Sequence, residues 1–449
     1  MWPVEQLIPC ERLLRKNNHA VDKMAEAIRT FGFRVPILAK GNGEVVDGHL
    51  RLKGAMVAGL TEVPVLVVDD LTETQLRAFR ISVNRLAELA NWDDELLALE
   101  FQDLIALDFP AELTGFDLDE IDKIMANLAG SDKDPDAIPP VPSVPVSCLG
   151  DLWQLGNHRL FCGDSTKTEN WQILMAGELA ECVWTDPPYN VNYKARAGSI
   201  KNDNLKSGEF YQLMHGILGR IFDVMLPGAP IYVAHADTER LTVQSAFQEA
   251  GFKLAACLIW RKNTMVIGRS DYQWQHEPIL YGWKPGSRHR WYGGRTKRSV
   301  LELGHLGQVV RTESGSVLVD AGDRVWEISG TNLQVEGFEP TVICEDKPLR
   351  NDDHPTMKPV ALVERYLANS SRPGNIVADA CGGGGSTLIA CERRSRKARI
   401  MELDPRFVDV IVKRWQEYTG RDAYLVGMDA AFSTVMNARG VEDDRTTAG

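Results

Sequence analysis

The sequence contains little that marks an exported, membrane-bound or metal-binding protein. Its eight cysteines form no CxxC pair and show no metal-ligand spacing with histidine, which is typical of reduced core thiols rather than disulfides or a zinc site. It has no charged-then-apolar leader and no long uncharged apolar run, so we expect no signal peptide, no membrane span and a cytoplasmic location. Its 62 acidic residues outnumber 50 Lys and Arg, and the net charge of −12 argues against general attraction to nucleic acid.

The chain is long enough for several domains, because its 449 residues exceed the size at which one hydrophobic core stops growing. Hydrophobic periodicity and turn residues indicate five regions in chain order. They are a small α/β unit (1–70), a helical segment (71–129), a proline-rich linker (130–147), a larger α/β domain (148–432) and a flexible tail (433–449). Within the fourth, β-branched residues alternate with turn residues over about 300–344, which predicts an antiparallel β insert.

The most informative motif is Asp186, Pro187, Pro188 and Tyr189, which we call the proline corner. It ends the apolar run 182–184, which has the pattern of a buried strand. Prolines cannot continue a sheet, so they fix a rigid corner at the carboxyl end of the strand, where open α/β sheets bind ligands. Carboxylate and carbonyl acceptors beside an aromatic ring suit a flat heterocycle with an exocyclic amine.

A second motif follows the predicted strand 376–379. It contains four consecutive glycines, residues 382–385, which we call the glycine turn, and then a helix for which we predict a cap at Ser386 or Thr387. Glycine allows close approach of the backbone to a ligand, and a helix amino terminus offers N–H groups to an anion. Glu402 ends the next predicted strand, near the usual distance for an acid that binds ribose hydroxyls.

The order of these motifs resembles the β class of amino-methylating DNA methyltransferases, in which Asp-Pro-Pro-Tyr precedes the glycine-rich unit. The resemblance covers about 150–420 and includes the strand-end Asp164 and the sequence His-Pro-Thr-Met-Lys-Pro at 354–359. It departs from the family at Ala380 and Cys381, where the family has Pro-Phe, and at Gly384, where it has Ser or Thr.

The resemblance implies a Rossmann-like, S-adenosylmethionine-dependent enzyme, bacterial or phage-encoded, that methylates a base flipped out of duplex DNA and needs no metal. It assigns catalysis to the proline corner. It also implies that the following residues bind the cofactor: Asp164, Thr356, Lys358, Asp379, Gly382, Gly384, Gly385, Ser386, Thr387, Glu402 and Asp404. Within that set, the glycine turn and the start of its helix would lie along the methionine part, Glu402 would bind the ribose, and Asp164 would meet the adenine amine.

A local basic segment, residues 284–298, is the candidate DNA contact. It holds six Lys or Arg and no acid, with Trp291 and Tyr292 between them, a mixture that suits phosphate contact and base stacking. The residues assigned to DNA are Arg288, Arg290, Arg295, Lys297 and Arg298.

Residues 1–70 resemble the ParB/sulfiredoxin-like domain. The likeness depends on the step Gly48, His49, Leu50, Arg51, where partition proteins have Gly-Glu-Arg-Arg and bind nucleotide phosphates. The substitutions argue against nucleotide hydrolysis, and Arg51 is either a phosphate ligand or a structural residue. We interpret the helical segment as a DNA clamp or spacer.

Three functional alternatives remain open from the sequence. Asp186 favours adenine N6 methylation, because cytosine-N4 enzymes of the class more often have Ser there. A ParB-like DNA- or nucleotide-binding protein with a weakened methylase domain is the second reading, supported by Ala380 and Cys381. Methylation of protein glutamine is disfavoured, since such enzymes have Asn at that position. The recognition sequence, a homodimer and a restriction nuclease partner are left undecided.

Overall fold

The structure, a computed structural model, divides the chain into two compact units, Met1–Leu128 and Ala129–Gly449. It describes residues 1–10, 18–89, 92–107, 109–128, 133–191, 194–195, 198–199, 202–266, 271, 274–293, 300–301, 307–311, 317–320, 325–328 and 358–441. Among these residues, no helix has both the length and the apolar composition that a membrane crossing requires.

The first unit combines short strands with helices. Its elements are β1 (Trp2–Pro3), α1 (Val21–Phe31), β2 (Ile37–Ala39), β3 (Val45–Asp47), α2 (His49–Ala58), β4 (Glu62–Val63), β5 (Val65–Val67), α3 (Glu73–Ala87), α4 (Asp94–Ala106) and α5 (Leu118–Leu128). Strand β2 lies between β3 and β5, and β1 pairs with β4. Thr72 and Asp93 cap α3 and α4 through their side chains.

At the ParB-like step, Gly48 precedes α2 with a φ of +100°, a conformation that favours glycine. Arg51 pairs with Asp47 at 2.8 Å, and the Nε2 atom of His49 accepts a hydrogen bond from the Cys10 amide at 3.2 Å. Arg51 therefore has a structural partner within its own unit.

The second unit is built around a large mixed sheet. Its elements up to the basic segment are β6 (Leu152–Leu155), β7 (His158–Cys162), α6 (Thr168–Met175), β8 (Cys182–Thr185), β9 (Lys194–Ala195), β10 (Gly198–Ser199), α7 (Ser207–Asp223), β11 (Pro230–Ala234), α8 (Arg240–Glu249), β12 (Lys253–Val266) and β13 (Trp274–Trp283). The remaining elements are β14 (Val300–Leu301), β15 (Gly307–Arg311), β16 (Val317–Asp320), β17 (Val325–Ile328), α9 (Val360–Ser370), β18 (Ile376–Asp379), α10 (Ser386–Arg393), β19 (Lys397–Glu402), α11 (Pro405–Thr419), β20 (Tyr424–Leu425), β21 (Ala430–Ala431) and α12 (Phe432–Ala438).

The strand order of the large sheet is β14-β12-β13-β11-β8-β18-β19-β7-β6-β20-β21. The five strands β11, β8, β18, β19 and β7 are mutually parallel, so their carboxyl ends share one edge. The predicted β insert is confirmed in its strands, because β15, β16 and β17 form a separate antiparallel sheet.

Helices cover both faces of this sheet, as they must where central parallel strands are apolar on both sides. Alternate residues of β8 show the pattern: Cys182 and Trp184 join the core with α9, α10 and α11, whereas Val183 joins the core with α6, α7 and α8. The result is an α/β/α sandwich of the Rossmann-like class predicted from the sequence.

Two boundary predictions change. Residues 433–438, predicted to be flexible tail, belong to helix α12, whose Phe432 and Val435 are buried, and Arg439 pairs with Asp151. The proline-rich stretch is attached to the second unit, because Asp136 accepts a hydrogen bond from the Val360 amide at 2.8 Å. The apolar side of α12 and the helix amino terminus at Val360 account for these attachments.

Candidate active site

Acidic side chains collect at the shared carboxyl edge of the parallel strands. Asp186 follows β8, Asp379 ends β18, Glu402 ends β19, and Asp164 follows β7 after one glycine. Strands β19 and β7 end in register, with Glu402 opposite Cys162, and the Gly163 amide donates to the Glu402 carbonyl at 2.8 Å. The sequence motifs, which are far apart in the chain, therefore meet along one edge.

The proline corner begins where β8 ends. Pro187 is buried, Asp186 and Tyr189 are half-buried, and Tyr189 packs against the adjoining core. Asn190 closes the corner in the left-handed region (φ 58°), which asparagine tolerates better than most residues. Its side chain accepts from the Leu205 amide at 2.6 Å and donates to Glu239 at 3.1 Å.

Asp186 is held by a lysine rather than left open. The Nζ atom of Lys358 donates to both carboxylate oxygens of Asp186, at 2.9 and 2.8 Å, and lies 4.9 Å from the centre of the Tyr189 ring. The sequence assigned Lys358 to the cofactor. In the structure its side chain contacts the proline corner.

Two further charged residues complete a network that the motifs did not reveal. Glu277 of β13 lies 3.0 Å from the Lys358 ammonium and accepts the Tyr189 hydroxyl at 2.8 Å. Lys262 of β12 pairs with the other carboxylate oxygen of Glu277. We call Asp186, Lys358, Glu277 and Lys262 the charge network. A single acid in the apolar strand 274–283 was the available signal, but nothing in the sequence gave its partners.

Burial and pairing act against each other within the charge network. Burial raises the pKa of Asp186 above its ordinary value, although the neighbouring Lys358 ammonium lowers it. Burial alone would also raise the pKa of Glu277, but the Lys358 and Lys262 ammoniums bring it down to about 2. Although burial lowers the pKa of Lys358, the two carboxylates raise it above its ordinary value. Glu277 and Lys358 are therefore both charged at neutral pH.

The glycine turn connects β18 to α10, and its geometry requires glycine at two positions. A Cβ on Gly382 would lie 2.7 Å from Ile400, and Gly385 has a φ of +82°. Gly385 is also the residue that precedes α10, so the predicted cap at Ser386 or Thr387 is wrong. Ser386 instead donates to the Lys358 carbonyl at 2.7 Å, and Thr387 donates to Asp379 at 2.6 Å.

Backbone amides hold the acids around the glycine turn. Glu402 accepts from the Gly383 and Asp404 amides, each at 2.8 Å, and Asp379 accepts from the Cys381 amide at 3.0 Å. Burial raises the pKa of Asp379 to about 7. The polar shell on this side of the edge therefore comes from local backbone.

The remaining cofactor candidates differ in position. Asp164 is half-buried and accepts from the Thr166 amide and hydroxyl, both at 2.8 Å through one oxygen. Asp404 instead caps α11 and pairs with Arg406 at 2.8 Å, so its carboxylate binds groups in the first turn of that helix. The carbonyl of Gly384 accepts from Arg414. Thr356 lies outside the described residues.

The described part of the basic segment lies at the opposite edge of the sheet. Trp283 pairs with Pro230, the first residue of β11, and the Arg290 amide donates to the Gly228 carbonyl at 3.0 Å. The Lys284 ammonium donates to carbonyls at the end of α7, at 2.7 and 2.8 Å. Arg288 and Arg290 are thus separated from the Asp186 edge by the length of β11, about 15 Å. Arg295, Lys297 and Arg298 lie outside the described residues.

His235 was also missed by the sequence reasoning. It follows β11 at the same edge as Asp186, and it is buried, with no hydrogen-bond partner for its Nε2 atom among the residues that the structure describes. Burial lowers its pKa to about 4, so the imidazole is neutral at pH 7. The sequence around the end of this strand contains no motif that predicts a buried histidine.

Comparison with known families identifies both parts of the chain. The model of the N6/N4 DNA methylase family matches residues 180–413, more than half of the chain. A second model, described as the ParB-methyltransferase HTH domain, matches residues 95–149. This second match covers the later part of the helical segment, from residue 95, and the proline-rich stretch.

Individual relatives include DNA methyltransferases and a ParB-like protein. Type II methyltransferase M.HpaI of Haemophilus parainfluenzae is 24% identical over 274 residues, covering 60% of this chain and 77% of that protein. DNA adenine methyltransferase YhdJ of Escherichia coli K12 is 21% identical over 253 residues, covering 53% and 76%. ParB-like nuclease domain-containing protein YnaK of the same organism is 32% identical over 74 residues, covering 16% and 85%.

Solved structures show similar partial likeness. The M1.HpyAVI–SAM complex aligns with a TM-score of 0.38 and 17% identity, covering 57% of this chain and 97% of that chain. The cytosine-N4-specific PvuII DNA methyltransferase aligns with a TM-score of 0.40 and 15% identity, covering 60% and 92%.

Proposed function

Because the chain belongs to the N6/N4 DNA methylase family, we propose that it transfers a methyl group from S-adenosylmethionine to the N6 amine of adenine in duplex DNA. The observation that carries the proposal is the meeting of the proline corner and the glycine turn at the ends of adjacent parallel strands, β8 and β18. One motif supplies acceptors for an amine, and the other supplies a backbone cradle beside it.

The residues around the glycine turn fit S-adenosylmethionine. No atom of the described residues lies within 4 Å of a Cβ built on Gly383, so the turn has space for a ligand on that side. Glu402 is half-buried beside it, and a carboxylate that accepts two amide hydrogen bonds still has lone pairs for a ribose diol. When bound, S-adenosylmethionine supplies an activated methyl group on its sulfonium.

The proline corner then handles the base. A duplex hides the amine, so the target nucleotide must leave the stack, at a cost of a few kcal/mol. Tyr189 offers a ring face to the flipped base, and Asp186 with the Pro187 carbonyl accepts the amine hydrogens. These acceptors orient the nitrogen lone pair toward the methyl donor. Positioning supplies most of the acceleration, and no nucleophilic side chain is required.

Adenine is preferred over cytosine on two grounds. The carboxylate of Asp186 is a stronger amine acceptor than a serine hydroxyl, and the relative YhdJ is named a DNA adenine methyltransferase. The experiment is nucleoside analysis of duplex DNA incubated with the chain and methyl-labelled S-adenosylmethionine. N6-methyladenine is expected. N4-methylcytosine would refute the base assignment, and the absence of any labelled nucleoside would refute the proposal.

The first unit is proposed to act on DNA engagement rather than on chemistry. The later part of its helical segment is acidic, because residues 93–128 contain eleven Asp or Glu and one Lys. Such a segment repels phosphates, so any tethering contact must come from other residues. A chain starting at Ala129 keeps the Asp136 contact to α9 and is the appropriate truncation. We expect normal single-turnover rates and weaker apparent affinity on long duplexes. Equal affinity for both chains would refute tethering.

A further inference from the structure

The proposed transfer leaves a buried charged pair without a role. Glu277 and Lys358 come from β13 and from the residues before α9, and their side chains are only 14% and 3% exposed. Burying charges is unfavourable unless they are paired with good geometry. Neither residue belongs to the proline corner or the glycine turn, yet both contact the corner directly.

One oxygen of Glu277 connects the two functional side chains of the corner. Its Oε2 atom accepts the Tyr189 hydroxyl at 2.8 Å and lies 3.0 Å from the Lys358 ammonium. The same ammonium donates to both oxygens of Asp186. The wall on which the base would stack and the acceptor for its amine are thus fixed by a single carboxylate.

The network is also balanced in charge. It contains two carboxylates and two ammoniums, since Lys262 pairs with the second oxygen of Glu277. In this buried position, the Lys358 ammonium stabilises the ionised form of Asp186. Glu277 pairs with the same ammonium and so offsets part of its positive charge. Each carboxylate oxygen has two lone pairs, so Asp186 can accept from Lys358 and from a substrate amine together.

We propose that Lys358 and Glu277 are positioning residues for methyl transfer: Lys358 holds Asp186 ionised and oriented, and Glu277 holds Lys358 and the Tyr189 hydroxyl. The inference rests on the proposed function and deepens it at the same site. Neither residue needs to touch the cofactor. Both act through Asp186 and Tyr189.

The network predicts opposite pH effects for the replacement of Lys358 and of Glu277. The titratable groups that interact with Asp186 from the surrounding elements are Tyr189, Glu277, Lys358, Asp379 and Cys381, and Lys262 pairs with Glu277. Lys358 lowers the pKa of Asp186, whereas Glu277 raises it. If transfer requires ionised Asp186, removing Lys358 moves the acid limb of the rate profile to higher pH. Removing the charge of Glu277 moves it to lower pH.

The test is the single-turnover rate of the full chain from pH 5 to 9, at saturating S-adenosylmethionine, for Lys358→Met, Lys358→Arg and Glu277→Gln. We expect opposite displacements of the acid limb for Lys358→Met and Glu277→Gln, and partial recovery in Lys358→Arg. The rate of Glu277→Gln at its optimum should fall about a hundredfold, as for a misplaced catalytic group. Its Kd for S-adenosylmethionine should be unchanged by calorimetry, which also shows that the variant is folded.

Glu249→Gln is the matched control, because Glu249 accepts the hydroxyl of Tyr211 on the exposed surface. It should match the unmodified chain in rate and pH profile. Unshifted acid limbs, or an unchanged rate in Glu277→Gln, would overturn the positioning role while the unmodified chain still methylates DNA. If Lys358→Met does not fold, the near-isosteric Glu277→Gln tests the positioning role on its own. Failure of the unmodified chain to methylate any DNA would instead count against the proposed function.

Discussion

The proline corner and the glycine turn lie at the ends of neighbouring strands but are held in different ways. The corner depends on side chains from four separate segments, which supply Asp186, Lys262, Glu277 and Lys358. The acids around the glycine turn accept from backbone amides that are close in the chain, such as the Gly383 amide, 19 residues from Glu402. One site is a long-range charge network, and the other is local backbone geometry. We therefore expect their functions to separate under mutation.

The largest effect should come from Asp186. Replacing it with alanine removes the amine acceptor and should lower the transfer rate on the order of 10²–10⁴-fold, the range typical of a positioned acid–base group. Affinity for S-adenosylmethionine should be retained, because the glycine turn is untouched. Rapid-quench assays and calorimetry on the same preparation measure the two quantities. A near-normal rate in Asp186→Ala would place the site elsewhere.

The reciprocal change is at Glu402. Glu402→Ala removes the acceptor proposed for the ribose and should weaken S-adenosylmethionine binding by roughly 1.5–3 kcal/mol, the value of a charge-assisted hydrogen bond. Glu178→Gln is its control, because Glu178 pairs with Arg399 of the same strand, at 2.6 Å. Calorimetry should show weaker binding only in the first variant. Equal affinities would remove Glu402 from the ribose site.

A smaller, pH-dependent effect is expected at Asp379. The unfolded carboxyl ionises near pH 4, whereas burial raises the pKa of the folded group to about 7. The folded state therefore binds this proton more tightly, and stability is lost as the pH rises from about 4 to about 7. Between pH 5 and pH 8, the free energy of unfolding of Asp379→Asn should rise relative to that of the unmodified chain by on the order of 1–3 kcal/mol. Denaturant unfolding at both pH values measures this gain, and a pH-independent difference would contradict it.

The smallest effect is expected away from both sites. Arg288 and Arg290 lie at the far edge of the sheet, so their replacement by alanine should leave the salt dependence of DNA binding unchanged. Removing a side chain that binds a DNA phosphate would reduce the log–log slope by about one. A reduced slope would show that DNA reaches this edge and would support the assignment of the basic segment to DNA.

The contrast also explains what the sequence could predict. Strand ends, the glycine turn and Glu402 follow local patterns, because glycine and proline restrict the backbone where they occur. The partners of Asp186 do not follow local patterns, because Glu277 and Lys358 reach it only when β13 and the segment before α9 pack beside β8. The position of the basic segment could not be predicted for a related reason: composition identifies its charge, but the antiparallel direction of β13 decides the edge of the sheet at which it lies. Helix α12 was missed because it has only 7 residues, too few for a helical period to be evident in the sequence.

The separation of the two sites is tested most directly by the single-turnover rate at saturating S-adenosylmethionine. The account predicts that high cofactor concentration restores Glu402→Ala to nearly the unmodified rate, because only binding has been weakened. It predicts that the rate of Asp186→Ala stays lower on the order of 10²–10⁴-fold at every concentration. Recovery of Asp186→Ala by excess cofactor, or a Glu402→Ala rate that remains low at saturation, would contradict the division between the proline corner and the glycine turn.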